Sequence, residues 1–402
     1  MTPAVTNPLE SVPLEQLRKR TSEKWHHYPP EVLPLWVAEM DVIPARPIRQ
    51  AVQEAVESGD TGYPSGDVYP QALSDFAARR WGWTGAEPQR MRTVPDVMTG
   101  ISAAISALTD PGDTVIVCSP VYPPFYVYTK HLGRKVVEAP LTPGGRLDPE
   151  AVQATFQRIS GTTRQPVLLL ANPHNPTGVV HTRAELEAVA ALARKFNARV
   201  ISDEIHAPLV LPGAHFVPYL SVTGTEPDFA VFSASKAWNL AGFKAAVLQA
   251  GSEATQDLAR VPWTVDAGAS HLGILAHVAA LQHGQPWLDT LLAGLASNRR
   301  LLQELVEQHA PGLRFQPPEA TYLAWLDCSQ VDLPAAEPGS LSRQFRLTGP
   351  AGFFLDHAGV ALNDGSTFGT GGRGFVRLNF GTSPTILSIA VERMGAALAA
   401  VG

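Results

Sequence analysis

Short, continuous apolar runs alternate along this chain with longer amphipathic segments. A run of four to six apolar residues bounded by polar residues is typical of a strand buried on both faces, whereas apolar residues spaced three and four apart predict a helix with one buried face. The predicted strands are 114–118, 135–140, 167–170, 200–201, 229–232 and 245–248. The predicted helices are 48–56, 71–83, 96–108, 150–159 and 182–196. This alternation predicts an α/β fold with a mostly parallel, doubly wound sheet.

The C-terminal part predicts a smaller α/β domain. Helical segments over 270–309, broken at Gly284-Gln285-Pro286, lead to strands at 322–326 and 375–380 and to a closing helix at 384–400. We expect three parts, which are an N-terminal arm packed on the small domain (1–45), a large domain (46–289) and the small C-terminal domain (290–402). We expect the first thirty residues to be loosely structured. The glycine-rich loop 365–374 suits either a gate over a substrate or no role at all.

The composition excludes several classes of protein. Of 402 residues, 45% are hydrophobic and 17% charged, which is typical of compact globular proteins. A net charge of −6 offers no basic surface for nucleic acid or an anionic membrane. No apolar run approaches the roughly 18 residues of a membrane span, and no signal-peptide core is present, so we expect a cytoplasmic protein. Cys118 and Cys328 give neither a disulfide framework nor metal-ligand spacing, and we expect no metal.

Polar residues follow three of the apolar runs. The run 229–232 leads into Ser233, Ser235 and Lys236, the run 167–170 leads into ANPHNPTG (171–178), and the run at 200–201 leads to Asp203. Ligands of open α/β sheets bind outside the carboxyl ends of the strands, so we expect these residues to lie together. A lysine at such a place can form a Schiff base with a carbonyl, because desolvation lowers its pKa. Taken alone, a lone lysine is more often a solvated loop lysine.

As an ordered set, NPHNPTG (172–178), SDE (202–204) and SASK (233–236) resemble the pyridoxal 5'-phosphate (PLP) enzymes of the aminotransferase superfamily, fold type I. The likeness is closest to the bacterial cystathionine β-lyase, or carbon–sulfur lyase, branch. It rests on PLWVAEMD (34–41), GYP (62–64), SDEIH (202–206) and KAWNLAG (236–242), and it extends over about residues 36–383. The resemblance implies PLP as cofactor, a small amino-acid substrate and a homodimer with shared active sites.

The resemblance also implies roles for the residues at the strand ends. Lys236 would hold the cofactor covalently and take the proton from the substrate's Cα as a general base. Asp203 would pair with the protonated ring nitrogen of PLP, although an isolated acid at a strand end is more often structural. Asn175 would donate a hydrogen bond to the 3-oxygen of the ring, with its amide also near the substrate carboxylate. Tyr122 would stack on the ring and border the substrate, or simply pack at the rim.

The cofactor phosphate would lie at the start of the helix predicted at 96–108. Unpaired backbone N–H groups and the helix dipole favour an anion there, so Val97 and Met98 would contribute N–H groups while their side chains could be ordinary core. Ser233 and Lys244 would complete the phosphate cup, with Lys244 standing where many relatives use arginine. Related lyases usually carry glycine at the position of Asp96. Because a carboxylate repels phosphate, we expect Asp96 to point away.

The remaining candidates border the substrate or the partner subunit. Tyr63 would reach across the dimer interface to the partner's cofactor phosphate, or be a packed loop residue. His206 lines the site or packs behind it. Ala38 would leave its backbone near the substrate carboxylate, or belong to a packing segment. Arg377 lies mid-strand among apolar residues, where an unpaired guanidinium would be costly. It therefore needs an anion, either the substrate α-carboxylate or an internal Asp or Glu.

These residues serve more than one reaction. A β-lyase would cleave L-cystathionine or another S-substituted L-cysteine to a thiol, pyruvate and ammonia, whereas a class I/II aminotransferase would transfer the amino group. Only the closer likeness favours the lyase. A third possibility is a non-catalytic regulatory protein that keeps the fold, but the combination of Lys236, Asp203 and Arg377 argues against it.

Overall fold

The structure is a computed structural model that describes residues 7–334 and 337–401. Strands and helices alternate through most of the chain. The strands are β1 (Leu33–Pro34), β2 (Met91–Val94), β3 (Thr114–Val117), β4 (Lys135–Glu138), β5 (Val167–Ala171), β6 (Arg199–Asp203), β7 (Phe229–Phe232), β8 (Ala246–Ala250), β9 (Arg314–Phe315), β10 (Leu323–Asp327), β11 (Val360–Ala361), β12 (Asn363–Asp364) and β13 (Phe375–Asn379). The α-helices are α1 (Leu14–Leu17), α2 (Glu23–His26), α3 (Arg46–Ser58), α4 (Val68–Trp81), α5 (Val97–Leu108), α6 (Pro124–His131), α7 (Pro149–Ile159), α8 (Arg183–Lys195), α9 (Thr255–Ala259), α10 (Trp263–Asp266), α11 (His271–His283), α12 (Gln285–His309), α13 (Leu341–Gln344), α14 (Gly349–Ala358) and α15 (Pro384–Ala399).

The central sheet has seven strands in the order β2-β8-β7-β6-β5-β3-β4. The neighbours from β4 to β7 pair in parallel, and β8 is antiparallel to both β7 and β2. The predicted α/β fold with a mostly parallel sheet is therefore confirmed. Because β3, β5, β6 and β7 run the same way, their carboxyl ends meet at one edge of the sheet, where ligands bind in this architecture.

Helices cover both faces of this sheet. In β5, Leu169 contributes to a core with α5, while Leu168 and Leu170 face the other way and contribute to a core with α7 and α8. Side chains alternate between the faces of a strand, so a strand that is apolar at every position must be buried on both sides. The helix α8 begins with the capping box that Thr182 and Glu185 predict.

A second sheet lies in the C-terminal part and has the order β12-β13-β10-β9, all antiparallel. The long helix α12 packs against α15 beside it, and Gly284 separates α11 from α12 at the predicted break. The short strand β1 pairs in parallel with β11, which ties the end of the arm to this region. The domain boundaries stay a prediction, and large domain and small domain are used below for residues 46–289 and 290–402.

Some local predictions were wrong. The described part of the arm is ordered rather than loose, because Leu9, Leu17 and Lys24 are buried in it. The helix α6 was not predicted, although a proline at its first position is a common helix start. The strand β2, with two partly exposed polar residues among four, was also missed.

Within residues 7–334 and 337–401, no helix is both long and apolar enough to cross a bilayer. The same residues contain no cluster of three or more histidine, cysteine or acidic side chains arranged to hold a metal ion. Cys118 and Cys328 are both buried thiols. The peptide bonds before Pro120, Pro173 and Pro176 are cis.

Candidate active site

A cavity of about 260 Å³ opens at the carboxyl ends of the parallel strands, between the central sheet, the start of α5 and the strand β13. All residues predicted for the site except Tyr63 line it. They are Ala38, Val97, Met98, Tyr122, Asn175, Asp203, His206, Ser233, Lys236, Lys244 and Arg377. Residues 339 positions apart in sequence, from Ala38 to Arg377, therefore meet at one place in the fold.

Lys236 reaches the cavity from the segment that follows β7. Its Nζ donates a hydrogen bond to the carbonyl of Ala38 at 2.9 Å. Burial, and secondly the positive charge of Arg377, lower the pKa of Lys236 to about 8. Because a neutral amine is the nucleophilic form, this environment favours covalent chemistry at Nζ over the solvated loop lysine that the sequence also allowed.

Asp203 ends β6 and presents a carboxyl group to the same cavity. It is 6% exposed, and its Oδ1 accepts a hydrogen bond from the backbone N–H of Ile205 at 3.1 Å. No lysine, arginine or histidine of the described ranges lies within ion-pair distance of it. Burial raises the pKa of Asp203 to about 7, against the opposing effects of the Ile205 N–H and of Lys236. A cation bound beside it would stabilise its ionised form.

The neighbouring acid does not take part in the cavity. Glu204 is buried and accepts hydrogen bonds from the backbone N–H of Tyr219 at 2.7 Å and from the side chains of Ser202 and Asn172. Burial raises the pKa of Glu204 to about 8. Of the two adjacent acids in SDEIH, only Asp203 therefore lines the cavity, and Glu204 organises the protein around it.

Arg377 approaches from β13 on the opposite side and is 4% exposed. Its two terminal nitrogens donate to Asn175 Oδ1 at 3.0 Å and to the carbonyl of Trp36 at 3.1 Å, while its Nε is buried without a partner. Burial lowers the pKa of Arg377 to about 10. Its hydrogen-bond partners in the described part of the chain are both neutral, so the internal Asp or Glu that the sequence allowed is not found there. Since Asn175 uses its oxygen on Arg377, its amide nitrogen is left to donate into the cavity.

The start of α5 forms the opposite end of the cavity. The first N–H groups of a helix have no acceptor within it, which leaves those of Val97 and Met98 for a ligand. Asp96 caps the helix through a 2.8 Å hydrogen bond from Thr99 N, and its Oδ2 lies 3.1 Å from Lys244 Nζ. The expectation that Asp96 points away from the phosphate cup is therefore wrong, because its carboxylate can both cap the helix and pair with the lysine.

Ser233 is more constrained than its predicted role suggests. Its hydroxyl donates to the carbonyl of Ala245 at 2.8 Å and accepts from the backbone N–H of Ser235 at 3.2 Å. Ser235 itself also lines the cavity, so it is a second hydroxyl for an anion at this end. Beneath this turn, Tyr69 is buried and its hydroxyl accepts from the N–H of Ala234 at 3.2 Å.

The segment 36–41 forms the wall beside Lys236 and is held at several points. Asn379 Nδ2 donates to the carbonyls of Val37 and Glu39, each at 2.7 Å. The hydroxyl of Tyr322 donates to the carbonyl of Ala38 at 3.0 Å. The carbonyl of Ala38 therefore faces two donors, one of them Lys236, and its predicted place near a substrate carboxylate stays a prediction.

The C-terminal end of this segment is held by a buried ion pair. Lys24 Nζ lies 2.8 Å from Asp41 Oδ2, and both side chains are almost wholly buried. Trp25 Nε1 donates to the other oxygen of Asp41 at 2.7 Å. Asn239, from the stretch after Lys236, exchanges two hydrogen bonds with the backbone of Met40. The arm thus positions the wall of the cavity, which the sequence did not reveal.

The other predicted residues differ in how close they come. Tyr122 forms a wall, and burial raises its pKa to about 12. His206 is buried with Nδ1 unpartnered, and burial together with the positive charges of Lys236 and Arg377 lowers its pKa to about 3, so its imidazole is neutral. Tyr63 is 93% exposed and lies outside the cavity of its own chain.

Several lining residues were not predicted. Tyr128 belongs to α6, the helix that was missed, and Phe243 lies at the end of the stretch after Lys236. Two prolines at 123 and 124 were the available signal for α6. Tyr322 and Lys24 do not line the cavity but hold the segment 36–41 beside it. These are long-range contacts, for which a single sequence gives no local signal.

Comparisons with known proteins agree with this geometry. Residues 31–394 match the family model described as aminotransferase class I and II. The chain is 54% identical to a Mycobacterium leprae protein named "Putative cystathionine beta-lyase", over 98% of each chain. It is 34% identical to the cystathionine beta-lyase of Corynebacterium glutamicum, over 96% of this chain and 99% of that protein. A Corynebacterium diphtheriae crystal structure, described as a "putative plp-dependent beta-cystathionase", has a TM-score of 0.86 and 36% identity over 96% of this chain and 98% of its own.

A match of this length, together with these identities, places the chain in the family of class I and II aminotransferases, which has the fold-type I architecture of PLP-dependent enzymes.

Proposed function

We propose that this chain is a PLP-dependent carbon–sulfur β-lyase that cleaves L-cystathionine or a related S-substituted L-cysteine to a thiol, pyruvate and ammonia. The observation that carries the proposal is the meeting of three groups in one cavity. These are an amine with a lowered pKa on Lys236, a buried carboxyl without a cationic partner on Asp203, and a buried guanidinium without an acidic partner on Arg377. The names of relatives that align with nearly the whole chain favour a lyase over an aminotransferase.

The residues of the cavity fit PLP as a resident group. The start of α5 offers N–H groups to its phosphate, and Ser235 and Lys244 lie at the same end. Asp203 would face the ring nitrogen, and Tyr122 would lie against the ring. Asn175 would donate its amide N–H to the 3-oxygen, because its own oxygen is used by Arg377. Lys236 would hold the aldehyde carbon through Nζ.

When bound, PLP supplies a conjugated ring that accepts the electron pair released from the substrate's Cα–H bond. Asp203 supports this by remaining ionised next to the ring nitrogen. A charge-assisted hydrogen bond of that kind contributes about 1.5–3 kcal/mol. The pKa of Asp203, about 7, falls once a positive partner is present, since an opposite charge favours the carboxylate.

Arg377 and Lys236 act on the substrate itself. The planar guanidinium binds the α-carboxylate through two parallel hydrogen bonds, which fixes the position of Cα. Nζ of Lys236, in its neutral form, then accepts the proton from Cα. When the Cβ–S bond breaks, its electron pair leaves with sulfur, which takes up a proton to become the thiol, while the pair from the Cα–H bond forms a double bond between Cα and Cβ. Water then hydrolyses the unsaturated amine to pyruvate and ammonia. His206 stays uncharged beside these groups, so it adds no further positive charge to the site.

The assembly and setting are part of the same proposal. Tyr63 lies in a loop whose residues are mostly exposed, as is its own side chain. This exposure suits the proposed role of reaching the cofactor phosphate of a partner subunit in a homodimer. We place the enzyme in the cytoplasm, and the two buried thiols fit a reducing compartment. Cleavage of L-cystathionine would release homocysteine, so methionine biosynthesis is the metabolic setting that we propose.

A product assay tests the reaction. Purified protein reconstituted with PLP is mixed with L-cystathionine, and pyruvate, ammonia and free thiol are measured in parallel. We expect the three products in equal amounts, without any requirement for a 2-oxo acid. The exposed-lysine variant Lys135→Ala is a control for preparation and folding. The lyase assignment is overturned if no S-substituted cysteine yields pyruvate while a 2-oxo acid supports amino transfer.

A mixing experiment tests the shared site. Lys236→Ala and Tyr63→Phe subunits are each prepared, then mixed under conditions that exchange subunits. If Tyr63 serves the partner's cofactor, heterodimers regain one site with both native residues, and activity rises above that of either parent. If sites are confined to one chain, no variant complements the other.

A further inference from the structure

The positively charged guanidinium of Arg377 lies against an aromatic ring rather than against an acid. The centre of its guanidinium lies 5.3 Å from the ring centroid of Phe368, and that side chain is 1% exposed. In the described part of the chain, the hydrogen bonds of the guanidinium go to the neutral oxygens of Asn175 and Trp36. A cation over an aromatic face is attracted by the ring quadrupole, and the attraction is strongest where water is excluded.

We propose that Phe368 is a positioning residue for Arg377, and that the loop 365–374 which carries it couples this arginine to the segment that holds Tyr122. The proposal rests on the proposed function, because it assigns to Phe368 the orientation of the group that binds the substrate carboxylate. Phe368 does not line the cavity, so it acts on the substrate only through Arg377.

The ring of Phe368 is fixed from two directions. It packs against Trp325, the register partner of Arg377 in β10, with ring centroids 5.1 Å apart. Its carbonyl accepts hydrogen bonds from the backbone N–H of Val121 at 2.8 Å and from the hydroxyl of Tyr126 at 3.2 Å. Val121 precedes Tyr122 directly. Phe368, which lies against Arg377 in the small domain, is therefore hydrogen-bonded to the large-domain segment that carries Tyr122.

Glu138 anchors the rest of the loop to the large domain. Its Oε1 accepts from the hydroxyl of Tyr126 at 2.7 Å and from the backbone N–H of Thr370 at 3.1 Å, and its Oε2 accepts from the Thr370 hydroxyl. These hydrogen bonds lower the pKa of Glu138 despite its partial burial, so the carboxylate is ionised at neutral pH. A glycine is needed at 369, because φ is +90° and a Cβ would collide with Tyr126 and Glu138.

The loop is thus a clamp between the domains, not a free flap. The gating role that the sequence left open would require these bonds to break, whereas the observed contacts hold Phe368 under Arg377. Loss of the aromatic face should loosen the guanidinium and weaken carboxylate binding. Retaining an apolar side chain of similar size should leave the cofactor site intact.

The test compares two ligands that differ only in a carboxylate. L-alanine and ethylamine are titrated into the PLP-loaded enzyme, and the visible spectrum of the cofactor reports binding of the amine. The ratio of their dissociation constants measures recognition of the carboxylate alone. We expect Phe368→Leu to reduce this preference for L-alanine by roughly tenfold to thirtyfold, while the dissociation constant of ethylamine stays unchanged.

A matched control separates positioning from packing. Phe375 also packs against Trp325, with ring centroids 5.1 Å apart, but makes no cation–π contact with Arg377. Phe375→Leu should therefore cost packing without changing the carboxylate preference. Glu138→Gln loosens the clamp from a distance and should reduce the preference by a smaller factor, about twofold to threefold. This variant also keeps the proposal testable if Phe368→Leu does not fold.

Other outcomes distinguish failure of the positioning role from failure of carboxylate binding by Arg377. If Arg377→Ala removes the preference but Phe368→Leu does not, the positioning role is wrong and the proposed function stands. Equal losses in Phe368→Leu and Phe375→Leu would point to general packing and also overturn it. If Arg377→Ala leaves the preference intact, carboxylate binding by Arg377 fails together with this inference. Failure of the lyase assignment alone would appear only in the pyruvate assay, which this titration does not use.

Discussion

The two walls of the cavity are built by different means. On the large-domain wall, Asp203 ends one buried parallel strand, and Asn175 and Lys236 each lie four residues beyond the end of another, so the fold brings all three to one edge of the sheet. On the other wall, Ala38 and Arg377 lie in elements from opposite ends of the chain and are held by side chains that never touch the cavity, such as Asn379 and Phe368.

Because the two walls are built differently, substitutions in them should have different consequences. Substitutions on the large-domain wall remove a chemical group and leave the fold, since each strand is buried by cores of its own. Substitutions behind the opposite wall displace groups that are chemically intact. Stability and substrate recognition should therefore suffer there before the cofactor is lost.

The largest effect is expected from Lys236→Ala on the large-domain wall. Loss of a general base alone costs roughly 10²–10⁴-fold in rate, and the covalent attachment of the cofactor disappears as well. The visible absorption of the protein-bound cofactor should be lost on gel filtration, while the unfolding midpoint of the cofactor-free protein should hardly change. Retention of a covalent cofactor after borohydride reduction of the variant would show that another lysine carries it.

Lys24→Met tests the opposite wall, at its buried ion pair with Asp41. Removing one partner leaves an uncompensated buried charge, which costs about 3–5 kcal/mol in the free energy of unfolding. Denaturant unfolding of the cofactor-free protein measures this cost. Lys19→Met, on the exposed surface of the same arm, is the matched control and should change little.

A double variant shows whether the cost is the stranded charge. In Lys24→Met with Asp41→Asn, the amide oxygen can still accept from Trp25, and no buried carboxylate remains. Part of the lost stability should therefore return. If the double variant is as unstable as Lys24→Met, the loss comes from packing around residue 24 and not from charge.

Lys236 belongs to the large-domain wall, but its pKa also depends on the charge of Arg377 in the opposite wall. Its pKa of about 8 is lowered by burial and by Arg377 of the far wall, and only the neutral amine attacks the cofactor aldehyde. The rate at which cofactor-free protein captures PLP should rise about tenfold per pH unit below pH 8 and level off above it. Stopped-flow absorbance measures the rate.

The reference reaction is the capture of PLP by free N-acetyl-lysine, whose amine titrates near its ordinary value, about 10.4. Arg377→Ala should move the protein's profile toward higher pH, because one positive charge is gone. A protein profile that coincides with that of the free lysine would show that neither burial nor Arg377 acts on Nζ.

Much of the large-domain wall could be predicted from the sequence. Strands such as Val167–Ala171 are apolar at every position, so their burial on both faces and the polar residues at their ends are local signals. The opposite wall has no such signal. Nothing near Phe368 indicates that Arg377 lies over its ring, and nothing near Lys24 indicates that Asp41 lies beside it, because these contacts exist only after the chain has folded.

The direction of the Asp96 side chain, which was predicted wrongly, and the roles of the two acids in SDEIH follow the same division. The local pattern predicted an anion site at the start of α5, but the direction of the Asp96 side chain depends on Lys244, which is 148 positions away in sequence. In the same way, SDEIH presents two acids, and only the register of β6 decides that Asp203 lines the cavity while Glu204 binds Tyr219. The sequence indicated which residues belong to the site, whereas the partners of their side chains are known only from the tertiary structure.

The smallest effect is expected from Asp96→Asn, which changes one charge on the otherwise predictable wall. Asparagine is as good an N-cap as aspartate, so the hydrogen bond from Thr99 N should persist and the helix should remain stable. The carboxylate, whose pKa is lowered by the Thr99 N–H and by Lys244 against the effect of burial, repels the phosphate and competes for Lys244. Its removal should tighten PLP binding by about fivefold, a modest factor because Lys244 is largely exposed.

The measurement is the dissociation constant of PLP from fluorescence titration of the cofactor-free protein at two salt concentrations. The gain should shrink at high salt, because charges near solvent are screened. Asp110→Asn, at an exposed acid paired with Arg164, is the control and should leave the constant unchanged. If Asp96→Asn weakens PLP binding instead, the ion pair serves to hold Lys244 in place for the phosphate, and the negative charge at the head of α5 is a support of the cup rather than a competitor within it.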